Sequence, residues 1–352
     1  DSWHLNLYYV LKEDTPLVKA GTILGFDQLL LAATVSGQEA VTEKSNVSSE
    51  DDQRKSNPPE ILENQTTIVI AGDNYTYTFN KLTGAFDRIV VNQISRLEKP
   101  LEFNIWRAPA DNDRNIVHEW KKAGYDRAMT RVYETAVTAE PGETLIRCRM
   151  AIHAIQIQHI LDMDVTWTIL ENGTLDVNIA AVRNTQLPFL PRFGLRLFPP
   201  KDYDRVTYLG YGPYESYIDK RQASRFGKFT ANVADMYVDY IKPQEHGSRF
   251  GCESVTLISR IQGQLTVTPP SQIPGQLTTA SGQTFSFNAS CYSQEELQTK
   301  GHNFELEKGD CAVLCVDYKM SGVGSNSCGP RLMEKYQLKE QEINFRIRLE
   351  FQ

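Results

Sequence analysis

The sequence is poor in cysteine and histidine and has no excess of positive charge, and each shortage excludes a class of protein. Six cysteines in 352 residues are too few for a disulfide framework. The six histidines are scattered, and none has a zinc-like spacing to a cysteine or to a second histidine. A net charge of -7 gives no electrostatic footprint for nucleic acid. Because no apolar run is long enough to span a bilayer, we expect a globular protein with neither a nucleic-acid nor a membrane partner.

Two further features concern the cellular setting. Cys311 and Cys315 would share one face of a strand, roughly 13 Å apart, which is too far for a bridge between them. Buried free thiols favour a reducing, cytoplasmic setting. The first residues, Asp1 to Leu5, include neither an initiator methionine nor the apolar core of a signal peptide. We therefore expect a cut made inside a longer protein, or a processed start.

The first 65 residues divide into two parts. In residues 1–35, Leu5, Leu7 and Tyr9 alternate with polar neighbours, and a second apolar run ends at Leu31. Two or three strands do not make a stable domain, so we predict the last strands of an incomplete β-sandwich. Residues 36–65 are polar and charged, which is typical of a linker.

Residues 66–352 read as a long succession of strands. Apolar residues alternate with polar ones from Leu161 to Ile169 and again from Ile343 to Phe351. Helical signals are confined to Glu119–Ala123 and to Ser293–Gln298, where Ser293 and Glu296 form a capping box. The lack of regular strand–helix alternation excludes a (β/α)₈ barrel. The pattern predicts an all-β fold, a large antiparallel sandwich.

Two segments in the middle of the chain depart from plain strand patterning. In Trp106–Arg114, Asp111 and Asp113 flank an asparagine and could ligate a hard cation, but the glycine and distal glutamate of a calcium loop are missing. We favour a rigid loop with Asx turns and an arginine pair. Leu209–Arg221 is dense in tyrosine and acidic residues, which can line a sugar site or form a buried polar network. Both interpretations stay open.

Two later segments also stand out. In Pro243–Gly251, Glu245, His246 and Arg249 crowd one turn, as acid–base machinery or, more commonly, as a salt-bridged turn. Lys319–Pro330 has the glycines and small hydroxyl residues of an irregular exposed loop, where function tends to lie. Its free thiol, Cys328, could contact a ligand.

Four motifs, in this order along the chain, resemble the C-terminal region of the β-galactosidases of glycoside hydrolase family 2. They are an RAPxDND loop, an LGxGPxExYxD run, a PxExGxR turn and a short helix start, which correspond here to Arg107–Asp113, Leu209–Asp219, Pro243–Arg249 and Tyr292–Leu297. The resemblance covers the chain apart from the linker. One such motif is a weak signal, whereas four collinear motifs across more than 200 residues are a strong one.

The resemblance implies a fold and a division of labour. Residues 66–352 would form the large β-supersandwich, similar to that of galactose mutarotases, and residues 1–35 the last strands of an immunoglobulin-like domain. The catalytic glutamates, with Mg and Na ions beside them, would lie in an upstream (β/α)₈ barrel. No catalytic residue, metal site or cofactor is therefore expected in this chain, which alone would be inactive, and a homo-oligomer is expected of the full enzyme. A retaining glycosidase needs two carboxyl groups roughly 5 Å apart, and no such pair is evident in the sequence.

The resemblance also implies a site. In the family, the loop matching Gly322–Pro330 reaches the aglycone side of the substrate, where some members stack a tryptophan on the sugar. Here Cys328 takes that position, and Gly324, Asn326 and Ser327 match loosely around it. These four residues are the predicted substrate contacts. Loss of the aromatic platform predicts weaker or differently oriented glucose binding.

Three functional hypotheses follow. The first is the non-catalytic part of a β-galactosidase acting on terminal β-D-galactosides such as lactose. The second is a free-standing epimerase of the mutarotase type, with His246 and either Glu245 or Glu215 as acid and base. The third is a carbohydrate-binding or structural module.

Overall fold

The computed structural model describes residues 3–31, 58–157, 159–270 and 283–352. The chain divides into two compact units, Asp1–Lys55 and Ser56–Gln352. In chain order the strands of the described residues are β1 (Trp3–Val10), β2 (Ile23–Leu31), β3 (Glu60–Glu63), β4 (Thr67–Ala71), β5 (Tyr75–Asn80), β6 (Ala85–Val91), β7 (Ile94–Ser95), β8 (Glu102–Asn104), β9 (Met129–Glu140), β10 (Glu143–His153), β11 (Leu161–Leu170), β12 (Leu175–Arg183), β13 (Arg192–Leu197), β14 (Arg205–Gly212), β15 (Arg225–Asn232), β16 (Arg249–Cys252), β17 (Ser254–Ser259), β18 (Gly263–Thr268), β19 (Phe285–Ser290), β20 (Val313–Met320) and β21 (Glu342–Phe351). The two α-helices of these ranges are α1 (Ile116–Lys122) and α2 (Gln294–Thr299).

The small unit contains the two strands that the alternation predicts. β1 and β2 pair antiparallel, with Leu5 opposite Leu29. These two leucines are 43% and 50% exposed, so the hairpin does not bury its apolar side chains by itself. That it ends an immunoglobulin-like sandwich stays a prediction. Of the predicted linker, residues 36–57 lie outside the described residues.

The end of the predicted linker is wrong by a few residues. Glu60–Glu63 forms β3, which pairs antiparallel with β4 from Glu60 opposite Ala71 to Glu63 opposite Ile68. Ile61 packs against the core of the large unit. A four-residue segment with one packed side chain shows too little alternation to distinguish a strand from a linker. The backbone hydrogen bonds to β4 make this segment a strand.

The described residues of the large unit form three antiparallel sheets, which confirms the predicted class. The nine-stranded sheet has the order β15-β14-β17-β18-β21-β12-β11-β10-β9, and the five-stranded sheets have the orders β16-β19-β20-β13-β8 and β3-β4-β5-β6-β7. Buried residues from all three sheets form a single apolar cluster. Ring contacts join the sheets, with Phe86 against Trp167 at 5.2 Å and Tyr208 against Phe287 at 5.2 Å between centroids.

The central strands have the alternation that the sequence predicts. The side chains of β11 that face inward, from Leu161 to Ile169, are at most 3% exposed. The turn at Asn172-Gly173, with φ of +84° at the glycine, leads into β12, whose other neighbour is β21. The indole N–H of Trp167 donates to the carbonyl oxygen of Gly84 at 3.0 Å, so even the polar atom of this buried ring is satisfied.

Both predicted helices and the predicted free thiols are present. The first helix covers Ile116–Lys122, slightly earlier in the chain than expected. The second begins after Ser293, whose hydroxyl oxygen accepts the N–H of Glu296 at 3.1 Å. Cys311 and Cys315 are buried and unbridged.

One edge of the sheet containing β8, β13 and β20 brings together two of the irregular segments. Arg192, the first residue of β13, lies opposite Met320, the last residue of β20, and Gly194 lies opposite Asn104, the last residue of β8. The chain therefore leaves β8 into Trp106–Arg114 and leaves β20 into Ser321–Pro330 at the same edge. Antiparallel pairing thus brings together segments that are more than 200 residues apart.

Candidate functional site

The loop that follows β20, Ser321–Pro330, is called the site loop below. Arg107, which is fully buried, donates through its guanidinium to the carbonyl oxygens of Ser321 at 2.7 Å and Gly322 at 3.0 Å. The same guanidinium pairs with both carboxylate oxygens of Asp113, at 3.1 and 2.8 Å. Burial disfavours the charge of Arg107, but the Asp113 carboxylate outweighs this and raises the arginine pKa. Arg107 is thus a permanently charged donor fixed under the start of the loop.

Asn112 and Arg114 hold the middle of the site loop. The side-chain amide of Asn112 donates to the carbonyl oxygen of Gly324 at 2.7 Å and accepts the N–H of Ser327 at 3.1 Å. Arg114 donates to the carbonyl oxygen of Ser327 at 3.0 Å. The arginine pair of the preferred interpretation of Trp106–Arg114 is therefore present, since Arg107 and Arg114 both donate to the site loop, whereas the Asx turns stay a prediction. The polar groups of this segment shape a second loop as well as their own.

Asp219 holds the same loop from the other motif. Its two carboxylate oxygens accept the N–H groups of Val323 at 3.0 Å and Gly324 at 2.7 Å. A Cβ atom on Gly322 would lie 2.5 Å from the carboxyl carbon of Asp219, so any other residue there would displace that carboxylate. Gly324 has φ of +65°, a conformation that side chains with a Cβ rarely adopt. The glycines therefore permit the close approach that the carboxylate needs.

The predicted site residues lie together on this loop. Gly324 and Asn326 line a cavity of about 230 Å³, next to Ile116 and Phe189. Ser327 is held through its backbone by Asn112 and Arg114, as above. Cys328 is exposed, with its N–H 3.4 Å from the carbonyl oxygen of Ser325. The backbone of the loop is fixed while the Cys328 thiol faces outward, and contact of these four residues with a substrate stays a prediction.

Behind the site loop lies a cluster of buried charges. Arg192 pairs with both carboxylate oxygens of Asp317, at 3.0 and 2.6 Å, and donates to Oε2 of Glu245 at 3.3 Å. All three residues are at most 5% exposed. Arg192 and Asp317 lie outside the four segments that depart from strand patterning. An aspartate inside the apolar run of β20 was the available signal, because a charge there must find a buried partner.

The proposed epimerase residues do not form an accessible acid–base pair. His246 is 4% exposed, its ring nitrogen Nδ1 lies 2.8 Å from the carbonyl oxygen of Gln244, and burial lowers its pKa. Glu245 is bound by Arg192 as above. Glu215 accepts the N–H of Gly247 at 2.9 Å and is also bonded by Lys220 and Tyr240. The commoner outcome, a salt-bridged turn, is thus the observed one, and Leu209–Arg221 supplies part of the buried polar network.

The segments that form and anchor the site loop also occur in a known protein family. Residues 71–349, which include all four motifs, match the family model of the beta galactosidase small chain. The chain belongs to the β-galactosidase small-chain family. Residues 107–330, and with them the site loop and each of its anchors, lie inside the matched region.

The small-chain family includes relatives of substantial identity. The chain is 39% identical over 349 residues to a β-galactosidase of Actinobacillus pleuropneumoniae and 34% identical over 348 residues to one of Staphylococcus xylosus. These matches cover 99% and 98% of the chain, which spans 32% of each relative. Among solved structures, a galactose mutarotase-like protein from Lactobacillus casei covers 84% of the chain with a TM-score of 0.43 at 9% identity.

The residues of this family member do not fit a metal centre around Asp111 and Asp113. The carboxylate of Asp113 accepts from the guanidinium of Arg107, whereas that of Asp111 accepts from the side-chain amide of Gln244 at 3.3 Å. The two carboxylates therefore serve different partners. In the described ranges no group of three or more histidine, cysteine or acidic side chains could hold a metal ion. The same ranges hold no helix long and apolar enough to cross a membrane.

Proposed function

We propose that the chain is the non-catalytic part of a β-galactosidase that hydrolyses terminal β-D-galactosides such as lactose. Its site loop would form the wall of the active site on the side of the aglycone, the group released with the glycosidic oxygen. Family membership and the names of the relatives support the activity of the whole enzyme. The chain alone would be inactive, since the carboxylates that share an arginine, Asp317 and Glu245, are buried and out of reach of a glycoside.

The observation that carries this proposal is the anchoring of the site loop. Side chains from two motifs, Arg107, Asn112 and Arg114 in one and Asp219 in the other, bond to its backbone. Several of these bonds involve a charged group, which makes them stronger than ordinary hydrogen bonds. A loop held in this way presents its tip in one geometry, as a binding wall requires. A merely connecting loop needs no such support.

The catalytic residues would come from a partner region of the same enzyme. The two glutamates of a retaining glycosidase, roughly 5 Å apart, would come from a (β/α)₈ barrel in the remainder of the polypeptide or in a large subunit. Mg and Na ions, if the enzyme uses them, would bind in that barrel, in keeping with the engaged carboxylates of Asp111 and Asp113. A homo-oligomer of the full enzyme and a cytoplasmic location complete the proposal.

Complementation tests this function directly. The chain and the separately produced remainder of its enzyme are assayed alone and mixed, with a β-galactoside that releases a chromophore. We expect hydrolysis only in the mixture. Activity of the remainder alone, unchanged by added chain, would leave the chain as a carbohydrate-binding or structural module. Activity of the chain alone would contradict the proposal.

A further inference from the structure

The charge cluster behind the site loop contains one more carboxylate than it can neutralise. Its guanidinium groups are those of Arg107 and Arg192, and its carboxyl groups those of Asp113, Asp317 and Glu245. Each arginine pairs through two bonds with one aspartate. Two cations thus balance two aspartates. Glu245 is left over, and an unbalanced buried charge is costly.

Glu245 is also the least satisfied of the three carboxyl groups. Its Oε2 accepts one bond from Arg192, at 3.3 Å, and its Oε1 is buried with no hydrogen-bond partner in the described part of the chain. The hydroxyl of Tyr217, on the neighbouring motif, is likewise buried without a partner there. A carboxylate oxygen can only accept, whereas a carboxylic acid also donates. A buried anion with one unpartnered oxygen, in a cluster that already has as many aspartates as arginines, is costly, and a proton on Glu245 removes that charge.

We propose that Glu245 is protonated in the folded protein and acts as a positioning residue, whose neutral form leaves Arg107 and Arg192 free to hold the site loop and β20. When Glu245 loses its proton, the new anion competes for the N–H groups of Arg107 that now donate to Ser321 and Gly322. The loop then loses part of its support. The effect on the loop is independent of the proposed function, and only its consequence for aglycone binding rests on that function.

The groups that face Glu245 come from every element packed around it. Arg192 on β13 and Arg107 before α1 favour its ionised form, whereas Asp317 on β20 and Glu215 after β14 disfavour it. Burial is the largest influence, and it raises the pKa of Glu245 to about 7 against the pull of the two arginines. Burial raises the pKa of Asp317 too, but its two bonds to Arg192 act in the opposite direction, so the proton belongs on Glu245. Tyr217 stays neutral, since burial and these carboxylates raise its pKa well above the ordinary value.

Amide hydrogen exchange of the full chain measures the effect. We compare peptides covering 319–327 between about pH 6 and about pH 8, after correcting for the intrinsic pH dependence of exchange. In the wild type we expect protection of these amides to fall as pH rises, by up to about tenfold between pH 6 and pH 7, and to level off above about pH 7, the pKa of Glu245 in the folded protein. In Glu245→Gln, a neutral isostere, protection should be independent of pH at the wild-type low-pH level. Glu253→Gln, an exposed glutamate nearby in sequence, should behave as wild type.

Clear outcomes overturn the assignment. Constant protection in the wild type across this range means that Glu245 does not change charge there. An unchanged pH dependence in Glu245→Gln means that another group is responsible. If Glu245→Gln does not fold, infrared difference spectra of the wild type between the same pH values decide, because a protonated carboxyl must convert to carboxylate near pH 7. Absence of that conversion contradicts the proposal.

The two proposals fail separately. Exchange and infrared spectra need no galactosidase activity, so they test the proton on Glu245 even if the chain never completes an active site. In the assembled enzyme, aglycone affinity should weaken through the same pH range in the wild type and stay constant in Glu245→Gln. If amide protection falls with pH as expected but aglycone affinity does not change, the proposed role of the site loop is refuted and the assignment of the proton to Glu245 stands.

Discussion

Replacing Asp219 by asparagine isolates the support that one carboxylate gives to the site loop. The substitution keeps the shape of the side chain. It also turns one of the two oxygens that accept from Val323 and Gly324 into an NH₂ group, which faces an N–H donor. One bond is therefore lost and its backbone N–H is left unsatisfied. The remaining bond loses the help of the negative charge.

The expected cost follows from these bonds. A hydrogen bond to a charged group contributes about 1.5–3 kcal/mol, and an unsatisfied buried donor costs about 1–3 kcal/mol. Because the site is only partly buried and the loop can relax toward water, we take about 2 kcal/mol as the net loss. At about 1.4 kcal/mol per factor of ten, the open state of the loop becomes about 30-fold more populated.

Hydrogen exchange at Val323 and Gly324 reads out this population, because amides held only by local structure exchange through local opening. We expect their exchange in Asp219→Asn to accelerate about 30-fold, while amides of β11 keep their wild-type rates. The matched control is Asp235→Asn, since Asp235 accepts from the side chain of Asn232 in an exposed turn outside the loop. Unchanged exchange at both amides would refute the anchoring role of Asp219.

Three more outcomes follow from the same structure. Gly322→Ala places a Cβ 2.5 Å from the Asp219 carboxyl carbon, so we expect a loss of about 1–3 kcal/mol in unfolding free energy by denaturant titration, whereas Gly301→Ala, with 3.5 Å to the nearest side-chain atom, should cost less. Burial lowers the pKa of His246, so its contribution to stability is present above about pH 6.5 and lost as pH falls. The raised pKa of Glu245 changes stability in the opposite direction, because stability is lost as pH rises toward 7. Thermal melts of His246→Gln and Glu245→Gln across this pH range separate the two contributions. The chain alone should not accelerate the mutarotation of α-galactose in a coupled assay, and turnover abolished by His246→Ala would restore the epimerase hypothesis.

The strand framework was predictable because its signal is local. The inward side chains of β11 and β21 repeat every second residue, and the hydroxyl oxygen of Ser293, which caps the second helix, accepts an N–H only three residues away. The β3 strand was missed because four residues carry too little pattern. Local periodicity thus decides the elements and not their exact ends.

The anchors of the site loop were flagged as motifs, but their task was not foreseen. Asn112 and Gly324 are 212 residues apart, and the bond between them depends on β8 and β20 flanking β13 in the correct register. Nothing in the local sequence encodes that register. The pair of Arg192 and Asp317, 125 residues apart, is hidden for the same reason.

The most direct test of the site loop is inhibition of the assembled enzyme by the two products of lactose hydrolysis. Under the proposed function glucose would occupy the aglycone side and galactose the other, so the wild type, Cys328→Ala and Cys328→Trp are compared for inhibition by each sugar. A ring stacked on a sugar contributes about 0.5–1.5 kcal/mol, so we expect Cys328→Trp to bind glucose several-fold more tightly and galactose with unchanged affinity. Cys328→Ala should resemble the wild type. Equal glucose inhibition in all three proteins would contradict a site loop that forms the aglycone wall.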